Sequence, residues 1–306
     1  MTRDDDVTST STGFRPDPRA IEAGLHLVST PIGAARDITL RALDVLAKAD
    51  VLAAEDTRTL RHLMEIHGVA LNGRRVIAYH DHNGESARPL ILRHLQEGKS
   101  VAYASEADTP LVADPGFQLA RAAIAEGLTV RAAPGASAVL TALAVGGLPT
   151  DRFLFAGFLP ATQTARKRAI SELAPVAATL VFYESPKRVS DTLRDLCEVL
   201  GEDREAVLCR ELTKRFEESR RGHLGALRDA LKDETPKGEC VILVGRAAEV
   251  VVDAATLDEA LIAALPGRRV KEVAHEVALR LGVSKRDAYQ AALRLSEEMK
   301  PEGDER

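Results

Sequence analysis

The segment LHLVSTPIGAARDITLRALDVLAKADVLAAEDTR, residues 25–58, carries the signature of the architecture. Leu25–Ser29 is a short apolar run that ends in the turn Pro31-Ile32-Gly33, and Val51–Ala54 is a second such run. Between them, residues 37–49 place Ile38, Leu43, Val45 and Leu46 along a helical stripe. Two short apolar strands joined through a helix read as a β-α-β unit, whose strands lie parallel in one sheet. The alternation continues outward: a helix over 57–66, a strand over 76–79, a helix over 85–97 stopped by Gly98, a strand over 101–105, a helix over 116–126, a strand over 128–132 and a helix over 136–145. It predicts a largely parallel sheet with helices on its faces.

Gly146-Gly147-Leu148-Pro149 is turn chemistry and marks a boundary. A second series follows, with strands over 153–157, 178–183, 206–211 and 239–245, a ribbon near 216–222, and helices over 163–173, 186–200 and 224–232. Residues 256–297 show helical patterning alone: Val273, Val277 and Leu281, a Gly282 turn, then Ser284 as a cap ahead of Tyr289 and Leu293. A helix-turn-helix-like pair fits, and the negative balance there favours a packing cap over a nucleic-acid contact. The expected fold is α/β: a disordered polar tail over 1–23, an N-terminal α/β domain over 24–148, a second α/β domain over 149–250, and a helical unit over 251–306.

Composition narrows the function. The 306 residues carry 41 Lys and Arg against 46 Asp and Glu, a net charge of −5, so no overall basicity recruits nucleic acid. Residues 1–150 hold 15 cationic against 18 anionic side chains, residues 151–250 hold 17 of each, and the remainder 9 against 11. Aromatics make up 4% with no Trp, which argues against a stacking platform for single-stranded bases. Cys197, Cys209 and Cys240 have neither zinc nor disulfide spacing, which fits a reducing, cytoplasmic setting. No apolar run approaches a membrane helix, and the N-terminus lacks the apolar core of a secretory signal.

The phosphate loop, the dinucleotide glycine fingerprint, the zinc-protease helix and the serine elbow are all missing. His80-Asp81-His82 is one donor cluster at one strand end, an incomplete shell, so no metal site is expected. What remains is a set of polar turns after strands: S-T-P-I-G, E-D-T-R, H-D-H-N, S-E-A-D-T-P, P-G-A-S, Y-E-S-P-K-R and R-E-L-T-K. Strand carboxyl ends are where open parallel sheets bind ligands, and seven such turns predict a cleft between the two domains.

These stretches, with T-P-I-G and D-I-T at 30–39, A-E-D-T-R at 54–58, D-P-G at 114–116, L-P-T-D-R-F at 148–153, G-F-L-P at 157–160 and K-G-E at 237–239, resemble the tetrapyrrole-methylase family over roughly residues 24–297. The resemblance implies two tandem α/β domains of the tetrapyrrole-methylase type, S-adenosyl-L-methionine in the cleft between them, and a homodimer. It implies 2′-O-methylation of a cytidine ribose in the decoding region of 16S rRNA, with the small ribosomal subunit as partner. Carried over by position, the cofactor is held by Pro31, Gly33, Ser105, Glu106, Ala107, Asp108, Thr109, Asp114, Gly135, Ala136, Ser137, Tyr183, Glu184, Arg210, Glu211, Leu212 and Thr213. One departure stands out: the family usually reads S-D-A-G-T-P where this chain has Ser105-Glu106-Ala107-Asp108-Thr109-Pro110, which adds a charge at the glycine position.

The proton acceptor stays open among Lys214, Lys187 and Glu184, with Arg188 and Glu211 nearby and water as the final acceptor. RNA contact is expected from His80, Asp81, His82 and Asn83, and from cation clusters at Arg166, Lys167, Arg168, Arg188 and Arg215. Further cation pairs are Arg220-Arg221 and Arg268-Arg269. The rivals are a corrin C-methyltransferase or diphthine-type synthase on the same fold, and a non-catalytic S-adenosylmethionine sensor.

Overall fold

The computed structural model describes residues 14–113, 116–232, 234–247, 254–281 and 283–298. Its first sheet holds β1 (Gly24–Val28), β2 (Val51–Ala54), β3 (Val76–Ala78), β4 (Ser100–Ala104) and β5 (Val130–Ala133) in the order β3-β2-β4-β1-β5. All four pairings are parallel, as the β-α-β rhythm predicts. β1 and β4 are buried at every position, the mark of strands covered on both faces.

The covering helices are α1 (Leu40–Lys48), α2 (Thr57–Ile66), α3 (Gly84–Gln96), α4 (Phe117–Ala125) and α5 (Ala138–Gly146). Leu43, Leu46, Leu60 and Met64 fill the core on one face, and Ile91, Leu95 and Leu119 that on the other. α1 starts three residues later than its periodicity predicts, because Thr39 takes the cap by accepting from the Ala42 amide while Ala35–Asp37 form a 3-10 turn. Asp56 caps α2 by accepting from the amides of Arg58 and Thr59. Phe14 and Ile21, within the tail expected over 1–23, pack against the first core, and residues 1–13 lie outside the described residues.

The second sheet holds β6 (Phe153–Phe158), β7 (Thr179–Glu184), β8 (Glu205–Arg210), β9 (Glu218–His223) and β10 (Cys240–Val244) in the order β6-β7-β10-β8-β9. Only β6 and β7 run parallel, since β10 enters antiparallel between β7 and β8. One face is covered by α6 (Gln163–Leu173), α7 (Val189–Leu200) and α8 (Leu224–Ala230) around Ile170, Leu193 and Leu227. The other face packs on α5: Val139, Ala142 and Leu143 meet Val181, Val207, Cys209, Val241 and Leu243. A Cβ on Gly146 would collide with the Leu243 side chain, so glycine lets the end of α5 lie directly on β10. α5 thus closes the first series in sequence but packs on the second sheet, and residues 1–246 form one compact unit.

The second unit spans 247–306. It contains α9 (Ala254–Ala264), α10 (Val270–Leu281) and α11 (Lys285–Glu298) around Leu257, Leu261, Val273, Val277, Ala288 and Leu295. Ser284 caps α11 by accepting from the Asp287 amide at 3.0 Å. Tyr289 and Leu293 are exposed, because Ala288, Ala292 and Leu295 supply the inward face of α11 instead.

Candidate functional site

Parallel pairing leaves the carboxyl ends of β1, β2, β4 and β5 level, with Ala104 opposite both Val28 and Ala54. In the second sheet Cys240 faces Glu184 on one side and Arg210 on the other, so the ends of β7 and β8 meet the start of β10. The loops from these ends enclose a cleft of about 610 Å³. Of the residues expected to hold a cofactor, Glu106, Ala107, Asp108, Tyr183 and Glu184 line it. Among the described residues the lining carries five carboxylates, on Glu55, Glu106, Asp108, Glu184 and Glu239, and no Lys, Arg or His. Apolar contact comes from Ile32, Val112 and Val241, and the exposed ring of Phe158 stands edge-on to Tyr183 with centroids 5.7 Å apart.

The 105–113 loop is strained and tied down. Asp108, Leu111 and Ala113 all hold left-handed backbone, with φ of 72°, 75° and 57°. The Asp108 carbonyl accepts from the Thr30 amide at 3.1 Å and the Ser105 hydroxyl at 2.7 Å. Its buried carboxylate accepts from the Thr109 amide at 2.6 Å, the Ala138 amide at 3.0 Å and the Tyr183 hydroxyl at 2.6 Å. Asp108 therefore caps α5, where Ser137 makes no side-chain cap, and binds the first sheet's loop to β7. Burial, reinforced by the bond to Asp108, pushes the Tyr183 phenol far above its ordinary range. Thr109 bonds the Ala136 carbonyl at 3.1 Å, which fixes the P-G-A-S turn of Gly135 to Ser137 beside the cleft. Asp114 lies outside the described residues.

The R-E-L-T-K loop closes on Gly33. A Cβ there would stand 2.5 Å from Lys214 Cγ and 2.7 Å from Thr213 Oγ1, and the next amide, on Ala34, donates to Thr213 Oγ1 at 3.0 Å. Pro31 adjoins Ile32 of the lining, and Leu212 is buried near it. Glu211 and Thr213 again hold positive φ, 51° and 62°. The Glu211 carboxylate lies over Gly238 (φ 85°), in space a Cβ would fill, and accepts from the Glu239 amide at 3.1 Å. Lys214 bridges Glu211 at 3.0 Å and Glu239 at 2.9 Å. Burial alone would lower the Lys214 pKa, but its two carboxylate hydrogen bonds outweigh it and the ammonium is held above the usual range. Arg210 pairs with Glu218 across the β8–β9 ribbon at 2.5 Å.

Glu184, though it lines the cleft, is fully engaged. It accepts from Thr192 Oγ1 at 2.7 Å, from the Ser185 amide at 2.8 Å and from Arg188 at 3.3 Å. Lys187 is exposed beside Ser185 and Pro186 of the lining and has no ion pair among the described residues.

Several expected RNA contacts are spent elsewhere. Arg166 is buried in an ion pair with Asp195 at 2.7 Å, which removes it from the surface. Arg188 is tied to Glu184 and to the carbonyl of Leu159, and Asn83 closes its own turn through His80 N and Ala78 O. Lys167 pairs with Glu198, Arg168 with Glu172, Arg220 with Glu218 and Glu234, Arg268 with Glu276 and Arg269 with Glu272. Arg215 instead lies over the Phe216 ring at 5.4 Å. His80, Asp81 and His82 remain at the turn after β3. Among the described residues no cluster of three or more His, Cys, Asp or Glu is arranged to hold a metal. Glu55, Phe158 and Glu239, which also line the cleft, lie in the matching stretches E-D-T-R, G-F-L-P and K-G-E without having been singled out from sequence, and Thr59 lies one residue beyond the first of these.

With this geometry in view, comparison with known proteins is direct. Residues 24–228 match the family model "Tetrapyrrole (Corrin/Porphyrin) Methylases". A ribosomal RNA small subunit methyltransferase I of Mesorhizobium japonicum is 45% identical over 280 residues, 91% of this chain and 94% of that one. Proteins of the same name from Halalkalibacterium halodurans and Escherichia coli O157:H7 are 42% and 40% identical over 87% and 88% of the chain, and 93% and 94% of theirs. Among solved structures, a diphthine synthase superposes with a TM-score of 0.57 at 20% identity, covering 72% of this chain and 89% of its own. A uroporphyrin-III C-methyltransferase from Thermus thermophilus, complexed with S-adenosyl homocysteine, gives 0.51 at 21% identity over 73% of this chain and 98% of its own. These two establish likeness of fold.

Proposed function

The chain belongs to the tetrapyrrole (corrin/porphyrin) methylases, a methyltransferase family, and from that premise we propose that it transfers the methyl group of S-adenosyl-L-methionine to the 2′-hydroxyl of a cytidine ribose in the decoding region of 16S rRNA. The observation that carries the cofactor half of this reading is the charge of the cleft: among the described residues its lining holds five carboxylates and no cation, with Arg188 and Lys214 answering Glu184 and Glu239 from outside the lining. A sulfonium with its ammonium group is the kind of ligand such a wall attracts, and phosphate is the kind it repels. Phe158 and Tyr183 add aromatic surface for a flat ring or for the sulfonium itself. The rRNA half is supported by relatives of that name, aligned over nearly the whole chain.

A bound donor would supply an electrophilic methyl for the ribose oxygen, giving up its bond to sulfur with the electron pair left there, and the hydroxyl proton would pass to water. The chain's own residues position the reactants. Asp108 and Tyr183 fix the separation of the two lobes, and the Gly33–Thr213 closure fixes the other side of the cleft. Alignment of this kind supplies a large share of a displacement's rate. Glu184 and Lys214 hold structure, since their polar atoms are already paired, whereas Lys187 at the rim, without an ion pair among the described residues, offers its ammonium to the developing oxyanion or a neighbouring phosphate. The reading includes a homodimer, carried from the resemblance, and a cytoplasmic setting, drawn from the cysteine usage. No helix among the described residues is long and apolar enough to cross a membrane.

The test is calorimetry with the donor, followed by transfer of labelled methyl to small ribosomal subunits that lack the modification. Saturable binding and label on a cytidine ribose support the reading. Binding without transfer would make the protein a sensor, and label on a corrin ring alone would move it to the other branch of the family.

A further inference from the structure

We propose that a second pocket, at the carboxyl end of β3, holds a nucleobase splayed out of the RNA beside the methylated nucleotide; this rests on the RNA reading above. The pocket is about 370 Å³, within the roughly 300–1,000 Å³ of small-molecule sites. Tyr79 with His80 and Asp81 of the H-D-H-N turn form one wall, Glu85 and Arg88 of α3 a second, and Gln118 of α4 a third. It opens on the same sheet edge as the cleft, one strand along: β3 pairs with β2, and Glu55 and Thr59 just beyond β2 line the cleft. Neighbouring strands lie about 4.8 Å apart, so a nucleotide next to the target is within reach of this pocket.

Its chemistry selects a base over a phosphate. Arg88 donates only to the Tyr79 hydroxyl, at 3.3 Å, and among the described residues has no ion pair. Asp81 and Glu85 likewise form no ion pair among the described residues. His80 Nδ1 is buried and has no hydrogen-bond partner among the described residues. The other buried side-chain nitrogens without a partner belong to Arg188, Arg204 and Arg246, whose guanidinium groups are anchored through a second nitrogen. A buried polar atom with no partner is costly unless a ligand satisfies it. One guanidinium, two carboxylates and an amide offer donors and acceptors together. A base edge presents that mixture, whereas two carboxylates oppose a phosphate. Sequence-specific RNA readers take unstacked bases into pockets of this kind.

The experiment uses the full chain and a set of short RNAs that carry the target cytidine and differ only in the nucleotides flanking it. For Arg88→Met, KM for the preferred RNA rises about tenfold, donor affinity is unchanged, and the preference among flanking nucleotides shrinks by a similar factor. The salt dependence of RNA binding keeps its slope, because a base contact releases no counterion. Because Arg88 also supports Tyr79, Glu85→Gln serves as a second variant that leaves that bond intact and loses the same preference. Unchanged KM and preference in both variants would overturn the proposal. So would uniform weakening across all RNAs with a salt slope reduced by about 0.7, the mark of a phosphate grip. A wild-type enzyme that labels no RNA at all would instead defeat the reading on which the proposal rests.

Discussion

Asp108 concentrates the opposing forces of the site in one residue. A left-handed φ of 72° on a non-glycine residue costs about 1 kcal/mol or more, and its carboxylate answers with bonds to two amides and the Tyr183 hydroxyl. Asp108→Gly removes both the strain and the bonds, so we expect thermal stability within about 1 kcal/mol of wild type. Asp108→Ala keeps the strain and loses the bonds, and should cost about 2–4 kcal/mol; denaturant titration of the pair separates the two contributions. Lys214 poses a question of pH. Its folded pKa lies above the ordinary lysine value, because carboxylate bonds outweigh burial, so its stabilising contribution is complete at neutral pH and is lost only as pH rises past about 10.4. Lys214→Met is therefore expected to lower the melting temperature at neutral pH, with the gap closing only in strong alkali. Lys214 should also contribute no limb to the pH–rate profile between about pH 6 and 9, and a limb abolished by this variant would make it the base. The sequence shows the Asp for Gly exchange at once, because a charged residue in a turn is conspicuous. It does not show that Ala138 and Tyr183, 30 and 75 residues away, receive the charge.

At the scale of elements, the order of strands and helices was legible from apolar periodicity, down to the shared bounds of β2, α2 and α6. The arrangement of the second sheet was not. β10 enters between β7 and β8 from more than 30 residues away, a non-local pairing that leaves no trace in local pattern. The same limit hid the closure of the cleft. Gly33 reads as an ordinary turn glycine, yet its lack of a Cβ lets the loop after β1 meet the loop after β8. Gly33→Ala forces Lys214 and Thr213 away and shifts the rim. We expect kcat/KM to fall at least tenfold, since small misplacements of a positioned pair are expensive in rate. Gly98→Ala is the control: at φ 76° with no atom within 4 Å of the added carbon, it costs about 1 kcal/mol of stability and leaves kcat/KM alone. Equal activity in the two variants would show that the loop contact does not set the geometry of transfer.

For the molecule as a whole, the distribution of charge matters more than its sum of −5. The cleft is lined with carboxylates, and most of the cations nominated for RNA are neutralised by neighbours, in one case 29 residues away, at Arg166 and Asp195. Pairing at i,i+4, as for Arg168 and Glu172, can be read from spacing; pairing between helices cannot. A polyanion approaching the nominated clusters meets few ammonium or guanidinium groups without an ion pair among the described residues, so counterion release there contributes little per contact and fit to the pockets must contribute more. The consequence is measurable as the slope of log K against log salt for RNA binding. Lys187 and Arg215 have no ion pair among the described residues, and substituting either by alanine should reduce that slope by about 0.7. Lys167→Ala and Arg168→Ala should leave the slope unchanged, because their charges are already answered by Glu198 and Glu172. If the order were reversed, those two ion pairs would have to open on binding, and α6 rather than the rim near Ser185 would be the face that meets the RNA backbone.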